Sequence, residues 1–398
     1  MKKLILSLWL LILCALLSGC GGGQEIESCL FVLAMAVDPA PDGNLTVTIK
    51  ALSGTQEAVD GASAAPERSR QKSPQANAAA QNAGPETPEP GYIVMSATAP
   101  SCLRALNVLS STTPRTVNLS QLREVVLSRA LAQTDATLTI LKEIHSMYRA
   151  NGEAIVVVTP DDAGDFIRRQ RAILGVRLSK YLEVLFDHFS EMDTIPPDAQ
   201  LASVIAAMQS NTIDAAAVYA AGNAFDSAIV LSGAADMNRL PGHLPRTSPA
   251  ENEYLGCALF SGPRMTGTLT GEETGLLCLI AGQAKRRAAF IGSALYRTNL
   301  PTRVRRSIDP DGTLSVHIAM SLKHIAGEAQ QTGEEIAAQI EREAVAVLLR
   351  LRAASSDAAG FGRIAIRESI DIPSWEERNW QDEYERLGVR VSAEVSVL

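Results

Sequence analysis

Several stretches carry residue types that catalysis uses, and each fails on spacing or context. Gly360 to Ala365, GFGRIA, matches the alanine-ending dinucleotide fingerprint. It follows a helix-patterned segment rather than a strand, so no βαβ unit would present a helix N-terminus to a pyrophosphate. Ser69 to Lys72, SRQK, has the spacing of an acyl-transferring serine and its lysine, but its surroundings are too poor in large apolar residues to hold a nucleophile rigid. Asp161 and Asp162 read as a helix cap rather than an acid/base dyad. His145 and His188 fall on helical patterns and His317 on the polar face of a strand, with no second histidine at ligand spacing. Trp375 and Trp380, in PSWEERNWQDEY, offer an aromatic recognition patch or, more simply, an anchor for the last strand. No HExxH, GxSxG or phosphate-binding loop occurs. The expectation is a protein that is not an enzyme, with no cofactor and no metal site.

Cys20 stands apart. LLSGCGGG, Leu16 to Gly23, closes an apolar run from Leu4 to Leu17 that only Ser7 interrupts, behind Lys2 and Lys3. A basic start, an apolar middle and a small-residue site make a secretory leader over residues 1–19. The run is shorter than the ~20 apolar residues that span a bilayer. LSGC resembles the bacterial lipobox, in which cleavage before the cysteine accompanies attachment of a diacylglycerol to its sulfur, so Cys20 is the expected lipidation site. Losing the two leader lysines takes the formal charge from −8 to −10. Such an acidic chain carries no electrostatic footprint for nucleic acid. It also argues against a polybasic second membrane contact, leaving the lipid to hold the protein. Cys29, Cys102, Cys257 and Cys278 are widely spaced without a CxxC pair, which suits buried thiols better than a disulfide framework or a metal site.

The elements around these residues are legible from periodicity. CLFVLAMAVD (Cys29 to Asp38) is an apolar run, and NLTVTIKAL alternates Leu45, Val47 and Ile49 with Thr46, Thr48 and Lys50 across a turn containing Asp-Gly. That predicts a hairpin with one buried and one half-exposed strand. Residues 53–90 hold almost no large apolar side chains and read as a disordered insertion within one domain. Helical spacing resumes in SCLRALNVLSST, and AIVVVTP (Ala154 to Pro160) reads as a buried strand. DDAGDFIRRQRAI and LSKYLEVLFDHFSEM read as helices, and the Pro-Pro break after Ile195 suggests a domain boundary near Thr194. TRVRRSIDPDGTLSVHIAMSL predicts a second hairpin with Leu314, Val316, Ile318 and Met320 on one face. GEEIAAQIEREAVAVLLRLRAA predicts an amphipathic helix with Ile336, Ile340, Ala344, Val347, Leu348 and Leu351 on one stripe. VRVSAEVSVL alternates as a final strand. Strand pairs with intervening helices and no regular βαβ cadence predict an α+β fold. A chain of 398 residues suffices for two or three cores.

In this order the motifs resemble the Ger(x)C family, the lipoprotein C subunits of spore germinant receptors. DGNLTVTIKAL, RTVNLSQLREVVLSRALA and EAIVVVTPDDAGDFI are similar to its N-terminal segments. GCALFSGPRMTGTLTGEETGLLCLIAG is the most telling stretch, with Gly256, Ala258, Phe260, Gly267, Leu269, Glu273 and Thr274 on matching positions. SSDAAGFGR, carrying Gly360 and Gly362, then Trp375 and Trp380 and the alternating last strand complete the likeness. Gln121, Arg264 and Cys278 stand where the family usually has histidine, lysine and an aromatic residue.

The resemblance implies three α+β domains of mixed or antiparallel sheets with helices on their faces. Their expected spans are residues 20–194, 195–292 and 293–398. It implies a lipid-anchored, extracytoplasmic, non-enzymatic subunit beside polytopic A and B subunits at the spore inner membrane, supporting receptor assembly or signalling, with no catalytic residues. A different class, a lipid-anchored solute-binding protein of a transporter, would need two α/β lobes joined by crossover strands.

Overall fold

A computed structural model of the chain describes residues 28–53, 91–147, 150–223, 238–244, 246, 250–285, 288–291, 294–327, 331–368 and 371–398. Cys20 and the expected leader lie outside the described residues. So does the 53–90 insertion, Ser69 and Lys72 included, apart from Ser53.

Two mixed sheets organise the described residues. The first contains β1 (Cys29–Pro39), β2 (Leu45–Leu52), β3 (Tyr92–Ala99), β4 (Thr116–Asn118), β5 (Glu124–Ser128), β6 (Ile155–Thr159), β7 (Ala216–Gly222), β8 (Asn252–Ser261) and β9 (Arg264–Leu269). Its order is β3-β2-β1-β5-β6-β7-β8-β9, with β4 beside the start of β1. The centre, β1-β5-β6-β7, is parallel, and antiparallel pairs flank it on both sides. The hairpin predicted at β1–β2 forms, with Met35 opposite Ile49 and Val37 opposite Val47.

Helices cover both faces of this sheet. On one face α1 (Cys102–Ser110), α3 (Ala136–Ser146) and α6 (Leu201–Met208) pack Leu106, Ile140, Ile144 and Val204 against Val37, Ile49, Val125 and Val156; the four-residue α2 (Arg129–Ala132) follows β5 directly. On the other, α4 (Ala163–Arg169) and α5 (Leu178–Glu191) pack Phe166, Ile167, Leu182 and Phe186 against Leu33, Ala36 and Val157. Each fully buried Leu or Phe in these layers contributes about 1.5–3 kcal/mol.

Double coverage corrects the expectation for β2. Thr48 and Lys50, read as facing solvent, are buried, because β2 is an interior strand and α4 lies across its second face.

The second sheet contains β10 (Ala288–Ile291), β11 (Ala294–Thr298), β12 (Arg303–Asp309), β13 (Thr313–Ala326) and β14 (Gly388–Val397), in the order β10-β11-β13-β12 with β14 along β13. One face is apolar, from Leu314, Val316 and Ile318, and meets α8 (Gly333–Ala353), whose buried positions include Ile336, Ala344, Val347, Leu348 and Leu351. The predicted stripe is the buried one, with Ile340 partly covered. Thr332 and Glu335 form a capping box at the start of α8. The remaining helices are α7 (Gly271–Ile280), α9 (Gly362–Ala365), α10 (Ile372–Glu377) and α11 (Trp380–Tyr384).

The fold is α+β. Neither expected internal boundary coincides with a break between sheets. The 194/195 division falls inside the first sheet, where Val157 of β6 pairs with Val218 of β7, and the Pro196-Pro197 break only turns the chain into α6. The 292/293 division falls between β10 and β11, which pair as a hairpin opening the second sheet.

Candidate functional site

The motif residues converge on the seam between the two sheets. Strand β8 builds it by alternation. Ala258 and Phe260 point into the first core, while Cys257 and Leu259 point into the core shared with β13 and α8. Gly256 sits at an irregularity in the β7–β8 pairing, with φ +88° and its N–H donating to the Thr194 carbonyl at 2.7 Å. A Cβ there would collide with the Leu269 carbonyl oxygen, so the position needs glycine for both conformation and space. Gly267 on β9 lets Ala354, just past α8, approach; an added Cβ would lie 3.1 Å from that methyl.

Helix α7 starts with a capping box. Thr270 Oγ1 accepts from the Glu273 N–H at 3.3 Å, and Glu273 Oε2 accepts from the Thr270 N–H at 2.9 Å. Glu273 also pairs with Arg350 on α8, tying the two sides of the seam. Thr274 is buried and donates to the Thr270 carbonyl at 2.8 Å.

Asp357, in the turn after α8, is the centre of the seam. Its carboxylate accepts from the Phe361 N–H at 2.8 Å, the Gly362 N–H at 2.6 Å and Trp380 Nε1 at 3.0 Å. Its own N–H donates to Asp214 Oδ2 at 2.8 Å, and Asp214 Oδ1 accepts from the Gly262 N–H at 3.0 Å in the β8–β9 turn. Burial pushes the Asp357 carboxyl up to about 7 and raises Asp214 as well. Gly362 has no room for a side chain: a Cβ would lie 2.7 Å from both the Thr212 carbonyl oxygen and Trp380 Nε1. Gly360, at φ +74°, packs beside Ile213.

Trp375 and Trp380 are only 3% and 5% exposed, their rings 6.0 Å apart, with Tyr384 5.8 Å beyond Trp380. They anchor the last strand from within the core and present no recognition patch.

A cleft of ≈ 310 Å³ opens along this seam between α6, α7 and the Asp357 turn. Val204, Ala207, Ile213 and Leu277 supply apolar wall, with Asp198, Gln283 and Arg363 as polar groups. Two potentially reactive groups border it, and neither is poised for reaction. Asp214 is spent on backbone amides, and burial raises the Cys278 thiol far above its ordinary value. Cys257 is likewise pushed up to about 12.

The remaining candidates stay apart. His145 and His188 are exposed on α3 and α5, while His317 shares a 3.0 Å hydrogen bond with Ser392 on the outer face of the second sheet. Asp162 caps α4 by accepting from the Asp165 N–H at 2.9 Å, and Asp161 accepts from the Gly222 N–H at 2.8 Å. GFGRIA runs from the turn after α8 into the four-residue α9, with no strand before it. All four described cysteines are buried thiols outside any disulfide. Among the described residues no group of three or more His, Cys, Asp or Glu could hold a metal ion.

A second buried polar group escaped the sequence reading. Glu124 on β5 accepts from Gln170 Nε2 at 2.6 Å and from the Tyr254 hydroxyl at 3.1 Å, while Lys50 donates to the Gln170 carbonyl. Burial pushes Glu124 up to about 7. Its only sequence signal is the acidic residue opening the apolar run EVVL.

The family profile described as "Spore germination protein N-terminal domain" matches residues 22–221. A second, "Spore germination B3/ GerAC like, C-terminal", matches residues 255–398. Among solved structures, one described as the crystal structure of the GerBC protein is similar at 12% identity and a TM-score of 0.47, over 92% of this chain and 96% of that one. No curated protein matches the sequence significantly. The first profile covers half of the chain and the second takes in Gly256, the α7 capping box, Asp357 and both seam tryptophans, so the chain belongs to the GerAC-like family of spore germination proteins.

Proposed function

We propose that this protein is a lipid-anchored, non-catalytic subunit of a germinant receptor, held at the outer face of the spore inner membrane through a diacylglyceryl group on Cys20. Its role is to support assembly or signalling of polytopic A and B subunits. The observation that carries the reading is the use made of the motif residues. Gly267, Glu273, Gly362, Trp375 and Trp380 pack or pair in the seam between the sheets, Gly256 and Thr274 fix the strand and helix that border it, and none is left poised for a reaction. Among the described residues no helix is long and apolar enough to cross a membrane. The proposed diacylglyceryl group supplies the attachment, its two chains holding durably where one would hold reversibly.

The solute-binding alternative needs two lobes joined by crossover strands. A single sheet running from residue 29 to residue 269 speaks against it.

The test is affinity purification of the tagged protein from detergent-solubilised spore inner membrane. The expected result is recovery with two multi-span membrane proteins in fixed ratio. Recovery alone, from membranes in which those proteins are present and intact, would refute the receptor assignment.

A further inference from the structure

The turn between α4 and α5 has a character that the seam does not use. Residues 168–180, RRQRAILGVRLSK, contain five cations and no acid, in a chain whose net charge is −8. At the tip, Ile173, Leu174 and Val176 are 36%, 73% and 46% exposed, and Gly175 makes the bend. Arg171 and Arg177 bracket the apolar tip. Arg168 and Lys180 stand just outside it, paired with Asp165 at 2.7 Å and Glu183 at 2.6 Å. An exposed apolar tip rimmed by cations matches an interfacial bilayer contact, with side chains for the acyl boundary and guanidinium groups for anionic headgroups.

The fold puts this tip at the end of the first sheet where β1 begins. Both ends of the turn are fixed at one end of the first sheet. On one side the Leu178 N–H donates to the Tyr92 hydroxyl at 2.7 Å, and on the other Lys50 donates to the Gln170 carbonyl. Tyr92 pairs with Leu52, and Ala51 pairs with Val32. The turn therefore lies level with the first residues of β1, the end at which the chain arrives from Cys20. Seven residues lie between Cys20 and Ser28, and the eight steps that join them reach at most roughly 28 Å when fully extended.

We infer that residues 171–177 form a second membrane contact that inserts Ile173, Leu174 and Val176 into the interface of an anionic bilayer and so orients the tethered protein. This rests on the lipid-anchor reading for its geometry. The tip itself acts through its own side chains, so the two can be tested apart. Each cation held near an anionic surface contributes roughly fivefold to partitioning.

The buried native thiols allow selective labelling of Leu174→Cys with a polarity-sensitive fluorophore, and of Ile372→Cys as an exposed control on α10. The mature lipidated protein is bound to phosphatidylcholine vesicles with and without phosphatidylglycerol. The expected result is a blue shift and quenching by bromolipid at position 174 on phosphatidylglycerol vesicles, with neither at 372. The same probe on chain 21–398 made without lipid, at millimolar phosphatidylglycerol, should show the same shift. Adding Arg171→Glu and Arg177→Glu should weaken vesicle binding of that unlipidated chain at least tenfold.

A probe at 174 that reports water on both preparations overturns the inference, whatever the state of Cys20. So does burial of the probe only when partner membrane subunits are present, which would assign the tip to a protein. Loss of vesicle binding by the Cys20-modified preparation alone would count against the anchor, and the unlipidated chain would still decide the tip.

Discussion

Gly256 and Gly43 both have positive φ, yet only Gly256 is enclosed. A Cβ at Gly43 would meet nothing within 4 Å, whereas at Gly256 it would meet the Leu269 carbonyl. Conformation alone therefore sets the cost of Gly43→Ala, about 1–2 kcal/mol. Gly256→Ala adds a backbone collision at the point where β8 leaves Thr194, and is expected to cost about 3 kcal/mol or more. Chemical denaturation of the two variants measures the difference; equal losses would show that the seam is not tightly packed there. The sequence motif exposed Gly256, Gly362 and the two tryptophans, because a glycine or tryptophan at a fixed place in a motif is visible without coordinates. Asp357 was visible only as a letter in SSDAAGFGR. Its partner Asp214 lies 143 residues away, with no local pattern to announce the contact.

At the scale of elements, the first sheet carries a buried carboxyl beneath α4 and α5 and the seam carries a second. Glu124 rises from 4.5 to about 7 and Asp357 from 3.8 to about 7, with burial the largest cause for each. Lys50, Gln170 and Tyr254 face Glu124. Around Asp357 lie Asp214, Trp380 and the amides of Phe361 and Gly362. The folded state thus holds protons that the unfolded chain releases. The contribution of these groups is complete below their unfolded values and is lost as pH rises through about 7. The exposed carboxyls with lowered values, such as Asp135 and Glu183, act in the opposite direction and only at lower pH. The midpoint of thermal unfolding should therefore fall between pH 5 and pH 8. Glu124→Gln, which fixes a neutral side chain, should flatten part of that fall, and a rising midpoint across this range would contradict the assignment. Helix and strand positions followed the periodicity closely. Lys50 misled because alternation cannot tell whether a strand's second face meets water or another helix.

For the whole molecule, periodicity foretold strands and helices but not that β1, β5, β6 and β7 would lie parallel at the centre of one sheet reaching residue 269. Strand order depends on which strands meet after long crossovers, and no residue pattern within a strand records that. Net charge was similarly coarse: an overall −8 concealed the cationic turn at residues 168–180. The proposed lipidation of Cys20 rests on the sequence alone, because a lipobox is read from an extended peptide and needs no fold to be legible.

The central proposal is that this protein is attached to a membrane through a lipid on Cys20. Mass spectrometry of the N-terminal peptide of the membrane-purified protein tests that claim most directly. The expected result is a peptide beginning at Cys20 with diacylglycerol on its sulfur. An intact leader, or a mature N-terminus with a free Cys20 thiol, would contradict it.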